Sequence, residues 1–204
     1  MAASLAQAEK DRSDFRTVVI GGTKLGLLVS AAVVLYLSVA RYAPDGGVRV
    51  GLEALLVIAG GTAAAFLPGF WCAARSVEGI AGAAGLGLWG AVVFAVIDIA
   101  VLRPLNAYPW TWDDVGGGMT WWYLPMWWML GTFLAWIGGL VVAGHAKHRE
   151  PSLVRVAAPV VVGAIVLAVI ARLAHLPILL PVAVGAGFAL TLVASGLTTL
   201  VRRT

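Results

Sequence analysis

The run GIAGAAGLGLWGAVVFAVIDIAVL at residues 79–102 decides the fold, because Asp98 is its one charged residue among apolar and small ones. As an α-helix, which rises 1.5 Å per residue, the run would extend about 36 Å and so exceed the roughly 30 Å hydrocarbon core of a bilayer. It has no period-two alternation, so a membrane β-strand is not indicated. The run therefore predicts a membrane-spanning helix.

Five further apolar runs are long enough to cross a bilayer as helices. They lie at about residues 16–40, 51–73, 118–144, 153–173 and 177–200. Hydrophobic residues make up 61% of the 204-residue chain and charged residues only 12%, against about 25% charged in soluble domains. In lipid, only helices and closed barrels satisfy all their backbone hydrogen bonds. We predict an all-α, polytopic integral membrane helix bundle of about six transmembrane helices.

The basic residues indicate how these spans are oriented. With a cytoplasmic N-terminus, one membrane face carries nine Lys and Arg residues and the other carries four. The nine are Lys10, Arg12, Arg16, Arg75, Lys147, Arg149, Arg155, Arg202 and Arg203, and the four are Arg41, Arg49, Arg103 and Arg172. This bias predicts that both termini are cytoplasmic, as in a bacterial inner-membrane protein. The chain then comprises a polar cytoplasmic arm at 1–15 and a transmembrane domain at 16–201, with an outer aromatic loop at 103–117.

The sequence carries little that indicates an enzyme. Its single cysteine, Cys72, excludes an internal disulfide and a cysteine-rich metal site. No HExxH motif or P-loop occurs, and His145 and His148 lie at a span end rather than at the mid-span depth that a haem needs. We expect no catalytic activity in this chain alone, no bound metal and no nucleic-acid partner.

Lys24 is the charged residue that fits least well in lipid. It lies about 12 Å beyond Arg16 along the first span, where a charge costs roughly 2.5–3.5 kcal/mol unless it snorkels or pairs. Glu78 is its nearest expected partner by depth. Lys24 is therefore either part of an ion or proton path or a snorkelling, structural lysine.

Four carboxylates and one histidine are expected together near the outer face. They are Glu53, Asp98, Asp113, Asp114 and His175. Such a group could ligate a cation or relay protons. The four outer arginines share that face, however, so mutual salt bridges are the alternative interpretation.

Tryptophans and methionines crowd the stretch WTWDDVGGGMTWWYLPMWWML at 110–130. Anchoring at the membrane interface explains the aromatic residues up to Tyr123, but Trp127 and Trp128 lie deeper. The predicted contact surface consists of Trp121, Trp122, Met126, Trp127, Trp128 and Met129. Its occupant would be a partner helix, lipid, or an apolar cofactor such as a quinone, carotenoid or other pigment. Thioethers also suit Cu(I), but we do not expect copper here.

Two classes of function fit these features. The first is a non-catalytic accessory or scaffold subunit of a larger membrane complex that handles electrons, pigments or ions. Its partners would be membrane lipids and other membrane subunits. The alternative is a small stand-alone ion- or proton-coupled transporter or channel that uses Lys24 and Asp98.

Overall fold

The computed structural model describes residues 11–108, 123–146 and 150–201, and six long helices make up most of these ranges. The helices are α1 (Phe15–Tyr42), α2 (Gly47–Trp71), α3 (Val77–Ile97, continued by a π-helical turn at Asp98–Leu102), α4 (Tyr123–Ala146), α5 (Leu153–Leu173) and α6 (Leu180–Val201). All six are long and apolar enough to cross a membrane, and no strand occurs in the three ranges. The prediction of an all-helical chain with six candidate membrane spans is confirmed.

Polar caps set where several helices begin. The Asp14 carboxylate accepts hydrogen bonds from the Thr17 backbone N–H at 3.1 Å and from the Thr17 hydroxyl at 2.6 Å, so α1 begins at Phe15. Ser76 and Ser152 cap α3 and α5 in the same way. Such side chains satisfy backbone N–H groups that the first helical turn leaves without a partner. The last span begins later than predicted, at Leu180, because a turn with His175 at φ 53° precedes it.

Helix α2 lies at the centre of the bundle and contacts each of the other five helices. Helices α1 and α3 pack on each other, α3 packs on α4, α6 lies against both α2 and α4, and α5 lies outermost against α6. Successive helices run antiparallel. We call the end that holds the first turns of α1, α3 and α5 the N-terminal end, and the opposite end the Asp98 end.

Two glycines allow the backbones of neighbouring helices to touch. A Cβ atom on Gly138 of α4 would lie 1.8 Å from the carbonyl oxygen of Ala65 in α2. A Cβ atom on Gly26 of α1 would lie 2.7 Å from the carbonyl oxygen of Gly90 in α3. Small residues permit this approach where lipid provides no hydrophobic contrast between helices, so van der Waals packing holds the bundle together.

Most of the helix surface faces outward. In each span, no more than 39% of the most apolar 18-residue window is buried within the bundle. Monomeric soluble proteins rarely expose continuous apolar patches of this extent. The outward surface is therefore typical of a helix bundle that lipid or other apolar helices surround.

Candidate functional site

The site is organised around the last turn of α3, where the helix widens from α to π geometry. The Arg103 backbone N–H donates to the Asp98 carbonyl oxygen at 2.9 Å, an i→i+5 hydrogen bond. In an α-helix, residues five apart point about 140° away from each other. A π-turn has more residues per turn and brings them closer to one side, so the Arg103 side chain can reach Asp98.

Three side chains donate hydrogen bonds to the Asp98 carboxylate, which is 0% exposed. The Arg103 Nε donates to Oδ2 at 2.9 Å, and the Tyr123 hydroxyl donates to the same oxygen at 3.0 Å. The Tyr108 hydroxyl donates to Oδ1. A carboxylate buried without such partners would be strongly destabilising. We call Asp98, Arg103, Tyr108 and Tyr123 the Asp98 cluster.

Aromatic contacts continue the cluster into α4. The Arg103 guanidinium lies over the Tyr123 ring at 4.8 Å from its centroid, which is a cation–π distance. Tyr123 contacts Trp127 edge to face at 5.8 Å between centroids, and Trp127 contacts Phe94 of α3 at 5.3 Å. Trp127, which the sequence analysis placed in the predicted contact surface, therefore packs between α3 and α4.

The chemistry of the Asp98 cluster is that of a neutralised, structural charge. One carboxylate and one guanidinium form the ion pair, and the two phenols complete the hydrogen bonding. Burial raises the pKa of Tyr108 above its ordinary value, and the hydrogen bond to Asp98 raises it further. The phenol thus remains a donor at neutral pH. The cluster ties the turn after α3 to both α3 and α4.

Glu53 lies at the same end of the bundle in a separate ion pair. The Arg49 Nε donates to Glu53 Oε1 at 3.0 Å, one helical turn apart on α2, and Arg49 also pairs with Asp45. A cavity of about 250 Å³, which both Arg49 and Tyr108 line, lies between this pair and the Asp98 cluster. Two of the salt bridges expected as the alternative to a cation site are thus present, and the structure does not join Asp98 and Glu53 into one site.

Lys24 lies toward the N-terminal end on the outward side of α1. Its side chain is exposed and lines an open groove with Arg12 and Arg16. Within the described part of the chain, Lys24 forms no ion pair or hydrogen bond, so the expected pair with Glu78 is absent.

The other residues of the predicted contact surface divide into two groups. Met126, Trp128 and Met129 are exposed on the outside of α4. Trp121, Trp122, Asp113 and Asp114 lie outside the described residues. Trp127 also lines an apolar cavity of about 70 Å³, less than half of the roughly 150 Å³ cavity that holds a benzene. A cavity of this size is too small to hold a quinone or carotenoid beside Trp127.

No metal centre is formed by residues 11–108, 123–146 and 150–201, since no three His, Cys, Asp or Glu side chains in these ranges could share an ion. The His145 Nδ1 lies 3.0 Å from the Val141 carbonyl oxygen of its own helix. Cys72 is fully buried, and burial raises the pKa of its thiol to about 11. A thiol in this state is a packing residue rather than a nucleophile.

Tyr108 and Tyr123 are the site residues that sequence reasoning missed. Tyr123 was interpreted as part of the interfacial aromatic belt, and Tyr108 was not singled out. The available signal was the order of a lone Asp in an apolar run, Arg five residues later and Tyr ten residues later. That signal is weak, because an α-helix would place Arg103 on a different side from Asp98.

Comparison of the chain with protein families, with curated proteins and with solved structures finds no match. The function must therefore be inferred from the geometry of the chain itself.

Proposed function

We propose that this chain is an integral membrane protein, with both termini in the bacterial cytoplasm, that acts as a non-catalytic accessory or scaffold subunit of a larger membrane complex. The six apolar helices and their outward apolar surface support membrane insertion. The excess of basic residues at one end supports the orientation. The outward face of α4 supports the role as a subunit.

The observation that carries the proposal is the chemical character of that face. Met126, Met129, Phe133 and Trp136 are all exposed, with Met129 at 68% and Trp136 at 49%. At 100° per residue, these four positions fall within about 80° of one another and form one stripe. The buried centres of protein interfaces are enriched in aromatic residues and methionine. Methionine also adapts its shape to an irregular partner surface. We call this stripe the α4 face.

Helix α5 provides an internal comparison. The large hydrophobic residues exposed along its middle and second half are aliphatic, among them Val162, Ile165, Val166, Val169 and Ile170. Val166 lies about 10 Å from the Asp98 end of α5, and Met129 lies about 9 Å from the same end of α4. The two surfaces therefore differ in composition at matched depth. Aliphatic side chains suffice for contact with lipid, whereas the flexible and aromatic side chains of α4 suit a partner helix.

The internal charges are less favourable to a transporter. Asp98 and Glu53 are held in ion pairs, and Lys24 faces away from the bundle. The Trp89 indole of α3 donates to Thr23 at 3.1 Å, so the level of Lys24 lies about 14 Å along α3 from Asp98. This arrangement gives little support to a single ion path that passes through both Lys24 and Asp98.

Site-specific photo-crosslinking tests the proposal. A photoreactive phenylalanine analogue replaces Met129 in one variant and Val166 in the matched control, and each is activated in the native membrane. The proposal expects one defined membrane chain to be crosslinked in high yield from position 129 and not from 166. The same chain should co-purify stoichiometrically with the wild-type protein in mild detergent.

Two outcomes of these experiments would contradict the proposal. Lipid adducts alone at both positions, or a chain that purifies alone or as a homo-oligomer, would overturn the subunit role. If that purified chain also moved protons or ions across liposome membranes, a transporter or channel function would replace the subunit role.

A further inference from the structure

A groove of about 540 Å³ opens at the N-terminal end of the bundle, between the first turns of α1 and the end of α2. We propose that this groove binds an anionic phospholipid, with its phosphate held by basic side chains of α1 and an acyl chain along the apolar part. The inference requires the membrane insertion proposed above, but it does not depend on the subunit role.

The charge of the groove favours an anion. Arg12, Arg16 and Lys24 line it, and Asp14 is its one acidic residue. The Asp14 carboxylate already accepts two hydrogen bonds from Thr17. Arg16 and Lys24 lie eight residues apart, about 80° from each other around α1, and both line the groove. Basic pockets between membrane helices are recognised sites for anionic lipid headgroups.

The groove changes from polar to apolar along its depth, as a phospholipid does. Arg12 and Arg16 lie at its mouth, and Ile20, Phe70 and Trp71 line the part further along α1. Helical side chains incline toward the N-terminus of their helix, so Lys24 extends toward the mouth. An acyl chain below the phosphate would then contact Ile20 and the two aromatic rings.

Hydrogen bonds join residues 11 and 12 to the segment between α2 and α3 and to the first turn of α3. They hold in place the end of the groove that Arg12 lines, which we call its mouth. The Asp11 carboxylate accepts hydrogen bonds from the backbone N–H groups of Arg75 at 2.9 Å and of Ser76 and Gly79 at 3.0 Å. The Arg12 N–H donates to the Cys72 carbonyl oxygen at 2.8 Å. Arg12 is thus held at a defined place beside α2, and the binding surface is preorganised rather than assembled from a loose arm.

The position of Lys24 favours a lipid over a soluble anion. It lies about 13 Å from the first residue of α1, on the outward surface. No acidic side chain of residues 11–108, 123–146 or 150–201 neutralises it. A headgroup phosphate that sits at the boundary of the hydrocarbon region is the anion that a lysine at this depth reaches by snorkelling.

Binding of dioctanoyl phosphatidylglycerol to the purified full-length chain in neutral detergent tests the proposal, with dioctanoyl phosphatidylcholine as the zwitterionic comparison. Lys24→Gln should weaken phosphatidylglycerol binding about fivefold, and Lys24→Gln with Arg16→Gln about 25-fold. Lys24→Arg should bind as the wild type does. The matched control is Arg155→Gln, an exposed arginine in the first turn of α5 at the same end, and it should change binding less than about twofold.

Several results would overturn the proposal. One is equal binding of the two lipids, which would indicate an apolar groove without headgroup recognition. Another is an Arg155→Gln effect as large as that of Lys24→Gln. A third is competition by millimolar inorganic phosphate alone, which would assign the groove to a soluble anion. Because the chain is tested alone, a failed subunit role would not change these outcomes.

Photolabelling keeps the proposal testable if the variants fail to fold. The wild-type chain in vesicles would be exposed to a phosphatidylglycerol that carries a diazirine near its headgroup. The labelled peptides should contain residues 12–24. Labelling that is spread evenly over the first turns of α1, α3 and α5 would contradict the assignment.

Discussion

The Asp98 cluster and the groove beside Lys24 place charge in an apolar bundle in opposite ways. Asp98 is 0% exposed, and three side chains of its own chain satisfy it. Lys24 is exposed, and no described residue pairs with it. A charge inside the bundle must find its partners in the protein, whereas a charge on the perimeter can find them in the surroundings. Asp98 should therefore determine stability, and Lys24 should determine contact with lipid.

Removal of the buried carboxylate should have the largest effect. Asp98→Ala removes the acceptor that Arg103, Tyr108 and Tyr123 share, and breaking a buried ion pair costs about 3–5 kcal/mol of unfolding free energy. Unfolding in detergent, followed by tryptophan fluorescence, measures the loss. The control is Asp45→Ala, because Asp45 also pairs with an arginine but its side chain is 92% exposed. Equal losses in the two variants would refute a structural role for the Asp98 cluster.

A smaller loss is expected when one donor to Asp98 is removed. Tyr123→Phe keeps the ring beneath Arg103 and deletes the hydroxyl that donates to Oδ2, so we expect a loss of about 1.5–3 kcal/mol. The same unfolding measurement checks it against Tyr42→Phe, whose ring is exposed at the end of α1. A Tyr123→Phe protein as stable as Tyr42→Phe would mean that this hydrogen bond contributes nothing.

The raised pKa of Tyr108 predicts how the stability of the protein changes at alkaline pH. Its folded-state pKa is raised by burial and by Asp98, so its stabilising effect is complete below the unfolded-state pKa of about 10 and is lost as pH rises through the folded value. The absorbance difference at 295 nm between wild type and Tyr108→Phe should show ionisation well above pH 10 when folded and near pH 10 in denaturant. Asp98→Asn should bring the folded value closer to 10. Ionisation at the same pH in both states would contradict the assigned environment.

Removal of the Lys24 charge should have the smallest effect on stability. Lys24→Met removes a charge that no described residue pairs with, so unfolding free energy in neutral, lipid-free detergent should change by no more than about 0.5 kcal/mol. The contrast with Asp98→Ala in the same detergent is the informative quantity. A loss of several kcal/mol would show that Lys24 is satisfied within the protein, and the comparison between the two regions would fail.

The six helices were predictable because the signal for a membrane span is local. Each run can be read from composition and length alone, and capping residues such as Asp14 and Ser76 lie next to the ends that they set. The Asp98 cluster was only partly predictable. Asp98 stood out as a lone charge, but its partners depend on a π-turn that periodicity does not show and on the docking of α4 against α3.

The position of Trp127 could not be predicted for a related reason. Its depth indicated a contact beyond the interfacial belt, and the structure shows that a ring of its own chain, Phe94, is one such contact. Side-chain direction around α4 depends on which helices surround it. For Lys24 the sequence left open an ion or proton path and a snorkelling, structural lysine, and the structure shows that α1 presents the side chain outward.

The central position of α2 has a consequence for how the chain is made. Helix α2 leaves the ribosome before two of its neighbours, α4 and α6. The surface of α2 around Ala65 and Gly69, which closes against Gly138 and Gly139, remains uncovered until α4 arrives. A nascent chain halted after α3 would therefore present this strip of small residues to whatever insertion factor or chaperone lies beside it.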